Sequence, residues 1–207
     1  MSHFTEVTVS DFTQQLASPA PVPGGGGTSA LIGALGIALG DMVGELTTGK
    51  KKYADVEEEI REMMARAQEI RKSFLRLVDA DAEAFAPLAA AYGIPKDDPE
   101  RNRIMEEALK GGSAVPLEIM RTCGQALDVI AVFAEKGSRL AISDAGCAAA
   151  ACKAALQAAS LNVFINTRSM QDKAYAAEIE QEADALLEKY NALADRIYDQ
   201  VFSGLRG

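Results

Sequence analysis

The amino-acid sequence predicts an all-α protein, an up-and-down bundle of about seven helices, two of them long. Apolar residues recur every three or four positions over most of the chain, as on helices with one buried face. No stretch alternates polar and apolar residues as several strands would. The 207 residues suffice for one hydrophobic core, so we expect a single helical domain over 1–207.

The predicted helices follow one another with short connections. Thr8, and Thr28 or Ser29, are the expected N-caps of the first two helices. Gly111 and Gly112 are expected to separate the fourth helix from the fifth, because glycine weakens a helix interior. The predicted ranges are 8–17, 28–48, 55–91, 98–110, 113–136, 143–162 and 172–202.

Composition excludes several classes of function. The chain has 21 basic and 30 acidic side chains, a net charge of −9, which disfavours a nucleic-acid partner. Its single histidine, His3, leaves no Ser-His-Asp triad, no Cys-His dyad and no zinc site built from histidines. We therefore expect no metal. Proton transfer would fall to carboxylates, lysine, tyrosine or cysteine.

The sequence also predicts a cytoplasmic protein that does not span a membrane. The three cysteines include no CxxC pair and are interpreted as free thiols in a reducing compartment. No basic segment precedes an early apolar stretch, so we expect no signal peptide. The apolar run 29–40 is closed by Asp41 and Glu45 and is shorter than a membrane span.

Glycines are concentrated in the second predicted helix and just before it. Gly33, Gly36, Gly40 and Gly44 form a stripe that indicates close packing against a helix, in a soluble bundle or in a dimer. The run 24–27 is either a flexible lead-in or a set of backbone N–H groups facing an anion or a polar ring.

A lysine run follows the same helix. The segment 44–51 resembles the phosphate loop GxxxxGK[ST], but a lysine replaces its final hydroxyl residue, and it ends a helix instead of starting one. Nucleotide binding is therefore disfavoured. Lys50, Lys51 and Lys52 are either a solvated charge run or a local clamp for an anionic ligand.

The strongest candidate for acid–base chemistry is Asp81. It lies on the apolar stripe of the third helix, whereas Asp79 points about 200° away from it. A carboxyl group on a core-facing stripe should have a raised pKa, which suits a general acid or base. A structural aspartate bonded to a neighbouring helix is the alternative.

Three further polar residues are candidate functional residues. Asp144 follows Ser143 at a predicted helix start, where capping alone explains it. Asn162 and Asn166 lie four residues apart on one helix face. Their amides would either satisfy a helix end or bind a heterocycle.

Four segments of the chain together resemble the cyclodeaminase/cyclohydrolase family of folate enzymes, which includes the C-terminal half of formiminotransferase-cyclodeaminase. The segments are 21–28 (PVPGGGGT), 48–53 (TGKKKY), 78–85 (VDADAEAF), and 143–144 (SD) followed by 162–166 (NVFIN). The resemblance implies an all-helical homodimer that forms or opens the 5,10-methenyl ring of tetrahydrofolate. It implies no cofactor beyond the folate substrate, which can carry a polyglutamate tail.

The resemblance also implies roles for the candidate residues. Asp81 is the expected acid–base residue, and Asp144 is a second polar catalytic contact. The expected substrate contacts are Pro23, Gly24, Gly25, Gly26, Lys50, Lys51, Lys52, Asn162 and Asn166. The motifs do not separate cyclodeaminase from cyclohydrolase, nor a site within one subunit from a site between two. The alternative function is a non-catalytic helical dimer that binds folate or another protein.

Overall fold

A computed structural model describes residues 3–207, in which six α-helices and no strand are present. The prediction of an all-α bundle is confirmed, but the chain has six helices instead of about seven, and three are long instead of two. The helices are α1 (Val9–Leu16), α2 (Gly25–Glu45), α3 (Glu57–Tyr92), α4 (Arg101–Lys136), α5 (Ile142–Thr167) and α6 (Lys173–Arg206). Short 3₁₀ turns, Lys51–Val56 and Arg139–Ala141, precede α3 and α5.

The predicted break at Gly111 and Gly112 is wrong. The structure shows one unbroken helix, α4, which also contains Pro116. Gly112 and Pro116 are buried against neighbouring helices, so tertiary packing outweighs the low helix propensity of these residues.

The start of α2 also differs from the prediction. Gly24 is the N-cap and the glycines that follow form the first helical turn, so neither Thr28 nor Ser29 caps the helix. Their hydroxyl groups donate to the carbonyls of Gly24 and Gly25 instead, at 2.7 and 2.5 Å. Thr8, by contrast, caps α1 as predicted and accepts the backbone N–H of Asp11 at 3.1 Å.

Helix α2 packs against α3, α4 and α5. Its glycine stripe permits this approach. A Cβ atom on Gly33 would lie 2.5 Å from the Phe74 ring, and one on Gly36 would lie 2.6 Å from the sulfur of Cys152. The stripe therefore packs inside the chain's own bundle. Of the two predicted explanations, a soluble bundle or a dimer, the structure supports the first.

The outer surface of α2 and α5 is apolar. Leu35 on α2 is 59% exposed, and Leu161 and Ile165 on α5 are 69% and 60% exposed. Helices α2 and α5 pack side by side, and we call their combined exposed surface the α2–α5 face. Large apolar side chains that stay exposed on neighbouring helices are typical of a protein–protein contact.

Two segments, Gly25–Glu45 and Arg139–Thr167, are long and apolar enough to cross a membrane by length and composition, each with a mean hydropathy of 1.4. In the most apolar 18-residue stretch of each segment, 61% and 44% is buried within the bundle, respectively. Core helices of soluble proteins have the same composition. The absence of a membrane span therefore stays a prediction.

The glycine stripe gives a prediction about stability. Replacing Gly33 by alanine should lower the free energy of unfolding by about 1–3 kcal/mol, because the new methyl group overlaps the Phe74 ring. Gly111→Ala in α4 is the matched control. Nothing lies within 4 Å of its added Cβ, so it should stabilise by about 0.5–1 kcal/mol. Urea unfolding measures the free energy of unfolding of both variants. Equal changes in this free energy would contradict the close packing of Gly33 against Phe74.

Candidate active site

A cleft of about 130 Å³ opens where the start of α2 meets α3, α4 and the end of α5. Six of the eleven predicted site residues line it. They are Gly24, Gly25, Gly26, Asp81, Asn162 and Asn166. Residues that are more than 130 positions apart in the sequence therefore meet at one end of the bundle.

The Asp81 carboxyl group, on α3, is held by the first turn of α2. Its Oδ2 accepts the backbone N–H of Gly27 at 2.7 Å. This N–H is one of the donors that a helix leaves unpaired at its N-terminus, where the helix dipole also favours negative charge. A Cβ atom on Gly26 would lie 2.0 Å from Asp81 Oδ1. The glycine run is therefore a helical turn that lets the backbone reach the carboxyl group, not a flexible lead-in.

Burial raises the pKa of Asp81, and the hydrogen bond from Gly27 opposes this shift more weakly. Desolvation acts in this direction because it disfavours the charged form of a carboxyl group. Within residues 3–207 no positively charged group forms an ion pair with Asp81. A carboxyl group with a raised pKa and one uncommitted oxygen, in a cleft, is suited to accept and return a proton.

The two asparagines of α5 line the same cleft as this carboxyl group, and each donates one amide N–H to a backbone carbonyl. Asn162 Nδ2 donates to the carbonyl of Ala158 at 2.9 Å, and Asn166 Nδ2 donates to the carbonyl of Gly112 at 3.0 Å. Neither Oδ1 atom has a donor within residues 3–207. The cleft therefore offers amide oxygens to a ligand with N–H groups.

Pro23 does not line the cleft, although it was predicted to contact the substrate. Its side chain is buried, and its peptide bond with Val22 is cis. The lining from this segment comes from Pro21 and Val22 instead. The buried Pro23 side chain is therefore part of the packing of segment 21–24 and does not face the cleft.

The lysine run lies at the opposite end of the molecule. Helix α2 has 21 residues and is about 30 Å long, and Lys50 follows its far end. Lys50, Lys51 and Lys52 are exposed, and the Lys50 ammonium group donates to the carbonyl of Leu46, close to the end of α2. They cannot reach the cleft of their own chain.

Asp144 is also far from the cleft. It precedes Asn162 by 18 residues of α5, which is about 27 Å of helix. Nor does it cap this helix with Ser143. The 3₁₀ turn Arg139–Ala141 continues directly into α5, so Ala141 is the N-cap and Asp144 lies in the first turn. Its charge is favourable there because of the helix dipole.

The lysine run and the start of α5 form one surface, which we call the far end. The Tyr53 hydroxyl oxygen accepts the backbone N–H of Arg139 at 3.1 Å and so joins the two segments. This hydrogen bond is the largest of the effects that lower the pKa of Tyr53, and the charges of Lys52 and Lys50 act in the same direction. The far end therefore places the three lysines near the start of α5, together with acidic side chains such as Glu57 and Asp144.

Six other lining residues were not predicted from the sequence. Phe85 follows Asp81 by one helical turn, and that spacing could have identified it. Gly112 was interpreted as part of a helix break, and no site role was predicted for Pro116. The remaining three are Pro21, Val22 and Ile165. Within residues 3–207, no cluster of three or more His, Cys, Asp or Glu side chains could hold a metal ion.

Comparison with known proteins agrees with this geometry. The model of the family described as formiminotransferase-cyclodeaminase matches residues 8–185. A methenyltetrahydrofolate cyclohydrolase from Methylorubrum extorquens is 41% identical over 95% of this chain and 96% of its own length. The rat formimidoyltransferase-cyclodeaminase is 31% identical over 86% of this chain, which spans only 34% of that longer protein.

A solved structure has the same fold. The crystal structure of formiminotetrahydrofolate cyclodeaminase from Thermotoga maritima superimposes with a TM-score of 0.84 at 30% identity, over 98% of this chain and 97% of the other. Sequence and structure agree over nearly the whole length. The chain therefore belongs to the formiminotransferase-cyclodeaminase family.

Proposed function

We propose that this protein is a folate one-carbon enzyme that hydrolyses 5,10-methenyltetrahydrofolate to 10-formyltetrahydrofolate. The observation that carries the proposal is the Asp81 carboxyl group, half-buried in a cleft, fixed by Gly27 through one oxygen and free at the other. The 41% identity to a methenyltetrahydrofolate cyclohydrolase, over nearly all of both chains, favours this reaction within the family.

The chemistry needs one proton-transfer group. Water adds to the methenyl carbon, which bears the positive charge shared between N5 and N10, while ionised Asp81 accepts a proton from that water. The bond from this carbon to N5 then breaks, and Asp81 returns the proton to N5. The hydroxyl proton of the intermediate leaves to solvent, and the formyl group remains on N10. Asp81 ends the cycle ionised.

Formiminotetrahydrofolate cyclodeamination is the second candidate. The Thermotoga maritima enzyme of the same fold supports it. In that reaction N10 attacks the formimino carbon and ammonia leaves, so Asp81 would protonate the departing nitrogen. Supplying the purified protein with each substrate separately distinguishes the two activities. If neither substrate reacts but folate still binds, the alternative hypothesis of a non-catalytic, folate-binding dimer is favoured.

We further propose that the active unit is a cytoplasmic homodimer formed through the α2–α5 face. The exposed Leu35, Leu161 and Ile165 leave an apolar surface that a second copy would cover. If the copies are antiparallel across this face, the far end of one subunit lies beside the cleft of the other. Lys50, Lys51, Lys52 and Asp144 of the partner would then reach the substrate, with the lysines facing its glutamate carboxylates. No metal or other cofactor is required.

Asp81→Asn should lower kcat by at least about 100-fold, because the amide cannot take up and return the proton. The protein should stay folded, since the asparagine oxygen still accepts the Gly27 N–H. Loss of methenyl absorbance measures turnover, and circular dichroism checks the fold. A kcat close to wild type would remove Asp81 from the mechanism.

The pH dependence of cyclohydrolysis should report the ionisation of Asp81. Since the proposed base is the charged carboxylate, kcat/KM should fall as pH decreases through the pKa of Asp81. Burial places this fall at a higher pH than that of an ordinary aspartate. The residual rate of Asp81→Asn should lack it. Initial rates corrected for uncatalysed hydrolysis test this, and an identical fall in the variant would contradict it.

Mixing two inactive variants tests whether the site is shared between subunits. One carries Asp81→Asn, and the other carries Lys50→Gln, Lys51→Gln and Lys52→Gln. Co-expressed in equal amounts, they should recover about a quarter of wild-type activity on a polyglutamylated substrate, since half the dimers are mixed and each mixed dimer has one intact site. Each variant expressed alone is the control. No recovery from confirmed mixed dimers would contradict a site shared between two subunits.

A further inference from the structure

Helix α4 carries a proline where it borders the cleft, and this frees a backbone carbonyl. In an α-helix the N–H of residue 116 would donate to the carbonyl of Gly112, but Pro116 has no N–H. The proline ring also pushes against that carbonyl, which disfavours the ordinary helical geometry. A buried carbonyl without a donor is costly, so another group has to supply one.

The amide of Asn166 supplies the missing donor from α5. Its Nδ2 lies 3.0 Å from the Gly112 carbonyl oxygen. Only the nitrogen end of the amide can face a carbonyl, since the opposite orientation would bring two oxygen atoms together. The contact therefore fixes the orientation of the Asn166 amide and leaves its oxygen without a donor within residues 3–207.

The lack of a side chain at Gly112 leaves room for this contact. A Cβ atom at this position would lie 3.3 Å from Asn166 Nδ2, closer than most Cβ contacts. The neighbouring Asn162 needs no such arrangement, because its amide nitrogen bonds to the Ala158 carbonyl of its own helix. Only Asn166 depends on a carbonyl that a different helix has released.

We propose that Pro116 is a positioning residue: by withholding a helical N–H it reserves the Gly112 carbonyl for Asn166, whose oxygen is thereby fixed to accept an N–H of the bound ring. The existence of this device depends only on the geometry. That the ring belongs to a folate rests on the proposed function.

Pro116→Ala tests the proposal, because it restores the N–H while keeping a small apolar side chain. The N–H then bonds to the Gly112 carbonyl and competes with Asn166. We expect KM for methenyltetrahydrofolate to rise about three- to tenfold, as for the loss of one hydrogen bond, with little change in kcat. The melting temperature should be at least that of wild type, because alanine favours a helix far more than proline does.

Two comparisons distinguish positioning from a general effect of the substitution. Pro87→Ala also removes a proline inside a helix, in α3, but Pro87 is exposed and does not line the cleft. It should leave KM unchanged. In an Asn166→Ala background, Pro116→Ala should have no further effect on KM, because the amide it positions is gone. An equal effect of Pro116→Ala with and without Asn166 would overturn the proposal.

A measurement without substrate separates this inference from the proposed function. In the free protein, the Asn166 side-chain N–H bonded to Gly112 should exchange slowly with water by NMR, and in Pro116→Ala it should exchange faster. Unchanged exchange would overturn the inference even if the enzyme turns over methenyltetrahydrofolate. Wild-type protein that turns over neither folate substrate would overturn the proposed function and leave the exchange result standing.

Discussion

The close approach of α2 to the surrounding helices is the constraint on which the rest of the structure depends. It places Phe74 of α3 and Cys152 of α5 against the α2 backbone. A side chain at Gly33 or Gly36 would collide with them. The same closeness brings the N-terminal turn of α2 onto Asp81, so packing of the core and placement of the reactive carboxyl group are one arrangement. A displacement of α2 that relieved one contact would disturb the other.

Two sets of polar groups lie at opposite ends of the bundle, one helix length apart. At the cleft, the polar groups are backbone N–H groups, two neutral amides and one carboxyl group with a raised pKa. At the far end they are lysines, acidic side chains such as Glu57 and Asp144, and the N-terminus of α5. The cleft and the lysines of a single subunit are therefore about 30 Å apart. Helix α2 spans this distance, which is why a second copy is central to the proposed function.

The sequence predicted the parts that depend on periodicity. The long apolar stripes gave the all-α fold, and the position of Asp81 on such a stripe gave both its burial and its raised pKa. The prediction was wrong where tertiary contacts outweigh local preference, as at Gly112 and Pro116, which α4 passes through without a break. Family motifs state which residues occur, but not which end of a helix they occupy, so the distance of Lys50 and Asp144 from the cleft of their own chain could not be predicted.

The amide and backbone groups of the cleft have a consequence for the effect of ionic strength. Dissolved salt screens charges over about 8–10 Å, but it has little effect on short hydrogen bonds to amide dipoles such as those of Asn162 and Asn166. The attraction of lysines for a carboxylate tail at an exposed surface fades as salt rises, and so does the repulsion from a net charge of −9. Salt should therefore act on the tail of a ligand while leaving the hold on its ring largely intact.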